Sequence, residues 1–358
     1  MSNSVGTLLK ITLFGESHGP AVGVVLDGFP AGFAPDFDAL QAFLDRRAPG
    51  RSELSTPRPE SDQPEFLSGF YRGRTNGAPI TAVLRNRNAH SEAYDGLNGF
   101  FRPSHADFPA YVKFSGQNDP NGGGHFSGRL TAALCAAGGL CLQWLERMNI
   151  RIFSHIFQIG AVTDAAFDPL SPQPAAHGMA LRTLDPAAAQ AMRDEILRAK
   201  SQGDSVGGSV ECAVTGLPVG VGEPPFDGLE NRLAQLLFAI PAVKGVEFGS
   251  GFSAAAMCGS AHNDAMFRDA LGAVRTRTNH AGGILGGLSN GMPLLFRVAI
   301  KPTPSVSLPQ ESVSPVDSGM LRIAGRHDPC IVPRALPCVE AAAAIALTDL
   351  ILEGRKWN

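Results

Sequence analysis

Five short stretches place titratable or cationic groups beside glycine or proline, and each suggests chemistry. "GESHG", Gly15 to Gly19, matches the G-x-S-x-G pattern of a hydrolase nucleophile elbow, which would make Ser17 an acyl-enzyme nucleophile. "RPSHAD", Arg102 to Asp107, sets a cation three residues before the titratable ring of His105. "NGGGHFSGR", Asn121 to Arg129, is a glycine loop feeding an apolar segment. Its backbone N–H groups could cradle a phosphate, with Ser127 and Arg129 adding donors. "KPTPS", Lys301 to Ser305, offers an ammonium and two hydroxyls on a stiff loop. "RHDPC", Arg326 to Cys330, gathers a guanidinium, an imidazole and a carboxylate.

The elbow requires a strand before the serine and a helix after it. Lys10 to Phe14 is short, apolar and partly β-branched, as a strand is. The segment after the turn, Pro20 to Leu26, reads as a second strand ending at Asp27-Gly28. Strand, turn, strand is not an elbow, so attention passes from Ser17 to His18. Together the five stretches describe a site for a polyanion rather than an acyl group.

Other elements must hold these loops. Asp36 caps a helix whose apolar face is Phe37, Leu40, Phe43 and Leu44 and which stops at Ala48-Pro49-Gly50. Asp185-Pro186 opens a helix running to Gly203, and Leu229 to Ile240 and Cys338 to Glu353 are two more. Gly128 to Met148 is apolar on nearly all sides, as expected of a helix between two layers. Ile80–Leu84, Gly208–Val214 and Leu294–Ile300 read as strands. Helices and strands alternate without strict βαβ regularity, which predicts an α+β fold, and no linker splits residues 1–358 into more than one domain. The polar stretches Arg46–Pro64, Asn86–Asn121, Pro169–Gly178 and Lys301–Gly319 read as long loops, which are often functional.

Composition narrows the function. Charged residues are 18% of the chain, below the ~25% usual for soluble domains, so much surface is expected to be buried in a core or an oligomer interface. A net charge of −3 gives no footing for general nucleic-acid or membrane-surface binding. The six cysteines form no CxxC pair and no metal-ligand spacing, and read as buried thiols of a reducing compartment. No signal architecture opens the sequence, and the apolar stretch Leu130–Leu145 is shorter than the ~20 residues of a membrane span. The expectation is a cytoplasmic, soluble protein.

"GESHG", "DRRAPG", "FRPSHAD", "GGGHFSGR", "GDSVGG", "PAVKGVEFG", "NHAGGILGG", "KPTPS" and "GRHDPCIVPRA" occur in the order seen in chorismate synthases, and the chain resembles that family from about Gly6 to Leu352. The resemblance implies a β-α-β sandwich of antiparallel sheets around long helices, assembled as a homotetramer. It implies a lyase that uses reduced FMN in the anti-1,4-elimination of phosphate from 5-enolpyruvylshikimate 3-phosphate, giving chorismate. By the same resemblance, His18 lies by the flavin, His105 by the leaving phosphate as general acid, and Asp328 helps relay the ring proton. Imidazoles that titrate near working pH suit the first two roles. Arg47, Arg102 and Arg129 would bind the substrate's anionic groups. His125, Phe126, Ser127, Pro241, Ala242, Gly286, Lys301, Pro302, Thr303, Pro304, Ser305 and Arg326 align with flavin-contacting positions. No G-x-G-x-x-G follows a strand, so NADPH is expected only indirectly, with an external flavin reductase as a candidate partner.

The sequence also departs from the pattern. His125-Phe126 stands where many members have Arg-Ser, Ala48 where a third Arg is usual, Glu53 (with Arg51 close by) where an Arg is frequent, and Ser104 where Gly is usual. These changes motivate one rival reading, a non-catalytic paralogue that binds a phosphorylated ligand.

Overall fold

Two antiparallel five-stranded sheets enclose a layer of helices in the computed structural model, which describes residues 3–50, 54, 60–87, 99–175, 181–323 and 327–354. Across the first sheet the strands run Ser4–Val5, Lys10–Gly15, Ala21–Asp27, Ile80–Arg85 and Pro64–Ser68. Across the second they run Val243–Phe248, Leu294–Ile300, Gly208–Thr215, Arg151–Ile159 and Val162–Thr163. The helices are α1 (Phe37–Arg47), α2 (Asp107–Lys113), α3 (Thr131–Glu146), α4 (Pro186–Ser201), α5 (Leu229–Phe238), the single turn α6 (Gly259–His262) and α7 (Val332–Gly354). This is the α+β sandwich expected.

The sheets bury one face each, so their strands alternate: Val22, Val24 and Leu26 point into the core. Helix α3 packs on the first sheet and against α7, and α7 packs on the second sheet. Both are apolar all round because both are sandwiched. Gly138 of α3 meets Ala341 of α7 so closely that a Cβ on Gly138 would stand 2.3 Å from the Ala341 Cβ. Three residues earlier in each helix, Cys135 meets Cys338. The two helices therefore run side by side in the same direction, with their N-termini at one end of the sandwich.

Polar side chains inside this layer are paired, as burial demands. Glu340, buried within α7, accepts both Nη groups of Arg46 at 2.7 and 2.8 Å and the Ser154 hydroxyl at 2.7 Å. Asp349 accepts the backbone N–H groups of Thr7, Leu8 and Leu9, each at 2.8 Å, and pairs with Arg232. These contacts tie the first strands and α5 to α7.

Several elements differ from expectation. Helix α7 begins at Val332 rather than Cys338, because Pro333 lies in the first turn, where its missing N–H has no intrahelical partner to lose. Pro337 then forfeits one hydrogen bond inside a helix held by burial on both sides. At 23 residues α7 is long and apolar enough to cross a membrane, exceeding Leu130–Leu145, but 89% of its apolar window is buried between the sheets. The strands Arg151–Ile159 and Val243–Phe248 escaped the sequence pattern. The expected loops Asn86–Asn121 and Lys301–Gly319 contain α2 and the hairpin strand Gln310–Val313. Of the six thiols, Cys258 is exposed and the rest are buried.

Candidate active site

The shared N-terminal end of α3 and α7 opens into a cleft of about 1020 Å³. Such ends carry unpaired N–H groups and a partial positive charge that attract anions. Cationic side chains add to it: Arg47, Arg129, Lys244, Lys301 and Arg334 line the cleft, against the carboxylates of Glu60, Asp107 and Asp328. Ile11, Leu13, Leu130, Leu134, Leu236, Ile240 and Ile331 supply apolar walls.

The first turn joins the strands Lys10–Gly15 and Ala21–Asp27, which pair antiparallel, so the hydrolase elbow is absent. Ser17 is buried, and its Oγ faces acceptors: the Gly122 carbonyl at 3.1 Å and the Asn121 carbonyl at 3.3 Å. It also lies 2.9 Å from His18 Nδ1, within the turn that presents His18 to the cleft.

The glycine loop is a short 3-10 segment, Asn121–Phe126, in which Gly122, Gly123 and Gly124 all have positive φ. Ser127 caps the next turn, Gly128–Leu130, accepting the Arg129 N–H at 3.3 Å. His125 donates from Nδ1 to the Gly15 carbonyl at 3.0 Å, and its Nε2 lies 3.0 Å from the Asn3 side-chain amide. The imidazole that replaces the family's frequent Arg therefore ties this loop to the first sheet.

Arg47 and Arg129 converge on Asp62, which forms an ion pair with both. Arg47 also donates from Nε to Thr131 Oγ1 at 3.0 Å and from Nη2 to the Gly128 carbonyl at 3.3 Å. Arg129 donates from Nε to Asn86 Oδ1 at 2.9 Å and from Nη2 to the Arg85 carbonyl at 3.2 Å. Among the described residues each guanidinium uses three of its five N–H groups in these contacts. Burial alone would raise the Asp62 carboxyl, but Arg47 and Arg129 outweigh it and hold the group below the usual carboxylate range.

His105 also lines the cleft, its Nε2 2.9 Å from Ser305 Oγ. Burial, then the positive charge of Arg102, lowers it to about 4, below the working range expected from an unperturbed imidazole. The ring is neutral at pH 7 in the free protein. Arg102 does not line the cleft: it is buried, donating from Nε and Nη2 to Asp107, each at 2.8 Å. It acts on the cleft by holding the turn and through its charge.

Ser104, at φ 59°, occupies the left-handed region that glycine enters without strain, which explains the family's usual Gly. Its carbonyl accepts the Lys301 ammonium at 2.7 Å. The Lys301 backbone N–H donates to the Ala242 carbonyl at 3.0 Å, so Pro241-Ala242 and the Lys301–Ser305 loop are one unit. Thr303 and Pro304 line the cleft, while Pro302 and Ser305 sit behind it. Asp328 pairs with Arg334, whose Nε donates to the Arg47 carbonyl at 2.9 Å.

Of the expected flavin-contacting positions among the described residues, Gly286, Pro302 and Ser305 do not line the cleft. Gly286 is in the turn of the hairpin between Ile284–Leu285 and Leu288–Ser289, away from the cleft lining. Arg326 lies outside the described residues, as do Arg51 and Glu53. Sequence reasoning missed Lys244 and Arg334, which line the cleft, and Asp62, which is buried in ion pairs with two cleft arginines. Arg334 carried a signal, a cation six residues after Asp328 at a helix start; Asp62 carried none beyond its place in a polar loop.

Comparison with known proteins shows the family and the fold. A family model described as chorismate synthase matches residues 9–352. The chorismate synthase of Thermococcus gammatolerans is 47% identical, covering 99% of this chain and 98% of the relative. That of Dehalococcoides mccartyi is 46% identical, covering 98% of this chain and 97% of the relative. A crystal structure of chorismate synthase superposes with a TM-score of 0.77 at 28% identity, covering 98% of this chain and 93% of that one.

Proposed function

This chain belongs to the chorismate synthase family, and we propose that its cleft carries out the family's elimination on a reduced flavin. The chain is a lyase of the shikimate pathway that forms chorismate. The observation that carries the finer reading is the convergence of His18, His105, Asp328, Arg47 and Arg129 on one cleft at two helix N-termini.

The cleft fits FMN together with a substrate. Its volume of about 1020 Å³ lies at the upper end of the ~300–1,000 Å³ typical of ligand pockets. The apolar walls suit a flat ring system, and the glycine loop and helix N-termini suit a phosphate. His125, Phe126, Ser127, Pro241, Ala242, Lys301, Thr303 and Pro304 would hold the flavin, with Pro302 and Ser305 supporting that loop. Gly286 and Arg326 remain proposed contacts from the family resemblance alone. When bound, reduced flavin supplies electron density to the reacting ring.

Arg47 and Arg129 bind the substrate's anionic groups through their remaining N–H groups, and Arg102 holds the phosphate side of the cleft. A phosphate beside His105 opposes the charge of Arg102 and Lys301, raises the imidazole's affinity for a proton and lets it protonate the leaving group. Asp328, oriented by Arg334, accepts the ring proton. His18, fixed by the turn and the glycine loop, holds a proton at the flavin side. The apolar walls exclude water from both transfers.

We further read residues 1–358 as one domain in a cytoplasmic homotetramer, with NADPH acting only as an indirect source of reduced flavin, through an external reductase. Anaerobic turnover of 5-enolpyruvylshikimate 3-phosphate with photoreduced FMN, run with and without NADPH, tests the proposal. Chorismate formation without NADPH is expected; no chorismate with reduced FMN present would overturn it.

A further inference from the structure

Two thiols beneath the cleft play no part in this scheme. Cys338, in the second turn of α7, lines the cleft floor. Cys135, in the first turns of α3, is fully buried behind it and donates its S–H toward Cys338 Sγ at 3.8 Å. The contact follows from the packing of the small faces of α3 and α7, which press Gly138 against Ala341 one turn further on. Forming a disulfide needs the sulfur atoms to close to ~2.05 Å, a side-chain movement with the two helices already in place.

We propose that Cys338 and Cys135 form a peroxide-reactive dithiol, with Cys338 as the cleft-facing nucleophile and Cys135 as its resolving partner. The Cys338 thiolate attacks one oxygen of hydrogen peroxide: an S–O bond forms, the O–O bond breaks, and hydroxide leaves to be protonated to water. Cys338 is then a sulfenic acid. Cys135 sulfur attacks the Cys338 sulfur, the S–S bond forms, the S–O bond breaks, and the Cys135 proton leaves with the hydroxyl as a second water. Two thiols are oxidised by two electrons and one peroxide is reduced.

The surroundings divide the roles in this direction. The Cys135 S–H favours the Cys338 thiolate, burial opposes it, and Arg47, Thr131 and Arg334 then tip the balance, so that its acidity is raised relative to an ordinary thiol. Burial pushes Cys135 well above the ordinary range, and pushes Cys141 and Cys330 up to about 12. Cys141, Cys212 and Cys330 do not line the cleft. Cys338 thus joins access to a favourable charge environment, and a reagent entering the cleft meets it before Cys135.

Closing the bridge would reorient the Cys338 side chain within the first turns of α7. Those turns carry Arg334, which holds Asp328 and the Arg47 carbonyl. Oxidation is therefore expected to weaken anion binding in the cleft reversibly. The dithiol depends on the two helices and the cleft alone, and stands whether or not the cleft uses flavin.

The test uses the full chain carrying Cys258→Ser, which removes the exposed thiol. It is treated with hydrogen peroxide, quenched with an alkylating reagent, and analysed by intact mass and non-reducing peptide mapping, with circular dichroism to follow the fold. The expected result is loss of two hydrogens, a linked Cys135–Cys338 peptide, and reversal by dithiothreitol. Cys135→Ser should stop at a Cys338 sulfenic acid that dimedone traps, and Cys338→Ser should leave Cys135 unmodified. Failure of Cys338 to react at least tenfold faster than Cys141, Cys212 and Cys330 would overturn the proposal. So would a Cys338 oxidised to sulfinic acid with Cys135 untouched.

Discussion

Gly122 lies directly against the His18 ring: a Cβ at residue 122 would stand 2.2 Å from both Nδ1 and Cε1 of His18. No side chain fits there, so the glycine loop sets where the imidazole can be. Gly122→Ala should displace His18 and lower turnover by about 10²-fold, the lower end of what a positioned acid–base group contributes. Gly123 has a similar left-handed backbone, but a Cβ there comes no nearer than 3.7 Å to another side chain. Gly123→Ala should cost ~1 kcal/mol of stability while keeping most turnover. Steady-state kinetics and thermal unfolding of the pair separate the contact from the backbone strain; equal turnover losses would refute it.

Asp62→Asn should destabilise the protein by about 3–5 kcal/mol, because Arg47 and Arg129 would then be buried without their shared counter-charge. The carboxyl is lowered from its ordinary value of 3.8, so its stabilisation is present above that value and lost as pH falls through the folded-state value. Denaturant unfolding below pH ~4 should show a steep loss in the wild type that is missing in the variant.

His105 gives a separate acid window. Its folded-state value of about 4 lies below its ordinary value of 6.5, so its contribution is complete above 6.5 and is lost as pH falls toward 4. Imidazole NMR of the free protein should show His105 neutral at pH 6, and addition of a phosphorylated ligand should move its titration upward. A His105 that titrates near 6.5 without ligand would contradict the buried, cation-flanked geometry.

Arg129→Ala should raise the substrate KM by about 10- to 100-fold, the loss of a charge-assisted contact worth ~1.5–3 kcal/mol. Arg129→Lys should recover only part of this. Arg129 donates in three directions, to Asp62, Asn86 and the Arg85 carbonyl, and also lines the cleft. A point charge on a flexible stem cannot hold that fork. Full recovery by Lys would show that only charge matters.

His155 offers a contrast away from the cleft. Fully buried, it places Nδ1 2.9 Å from Asp164 and Nε2 2.9 Å from Glu211. His155→Leu would leave two buried carboxylates without the ring between them and should cost about 3–5 kcal/mol. Turnover per folded molecule should be unchanged. Chemical denaturation alongside active-site titration checks both halves of this expectation.

Features written in neighbouring residues were legible in the chain alone. Asp36 and Asp185 announced their helices, since a cap is a contact between residues two or three apart. Pro20 to Leu26 declared the strand that rules out a nucleophile elbow, because a short β-branched apolar run ended by Asp27-Gly28 is a local signal. The ordered set of motifs disclosed the family and, with it, the sandwich. Which charges meet was settled only in three dimensions. Asp62 reaches Arg129, and His105 reaches Ser305, across long stretches of chain whose intervening spacing carries no geometric information. The start of α7 at Val332 likewise came from burial between two layers, which outweighs the local penalty of Pro337. The low proton affinity of His105 arose the same way. Motif spacing names the imidazole, but its charge state depends on the desolvation and the guanidinium that the fold packs around it.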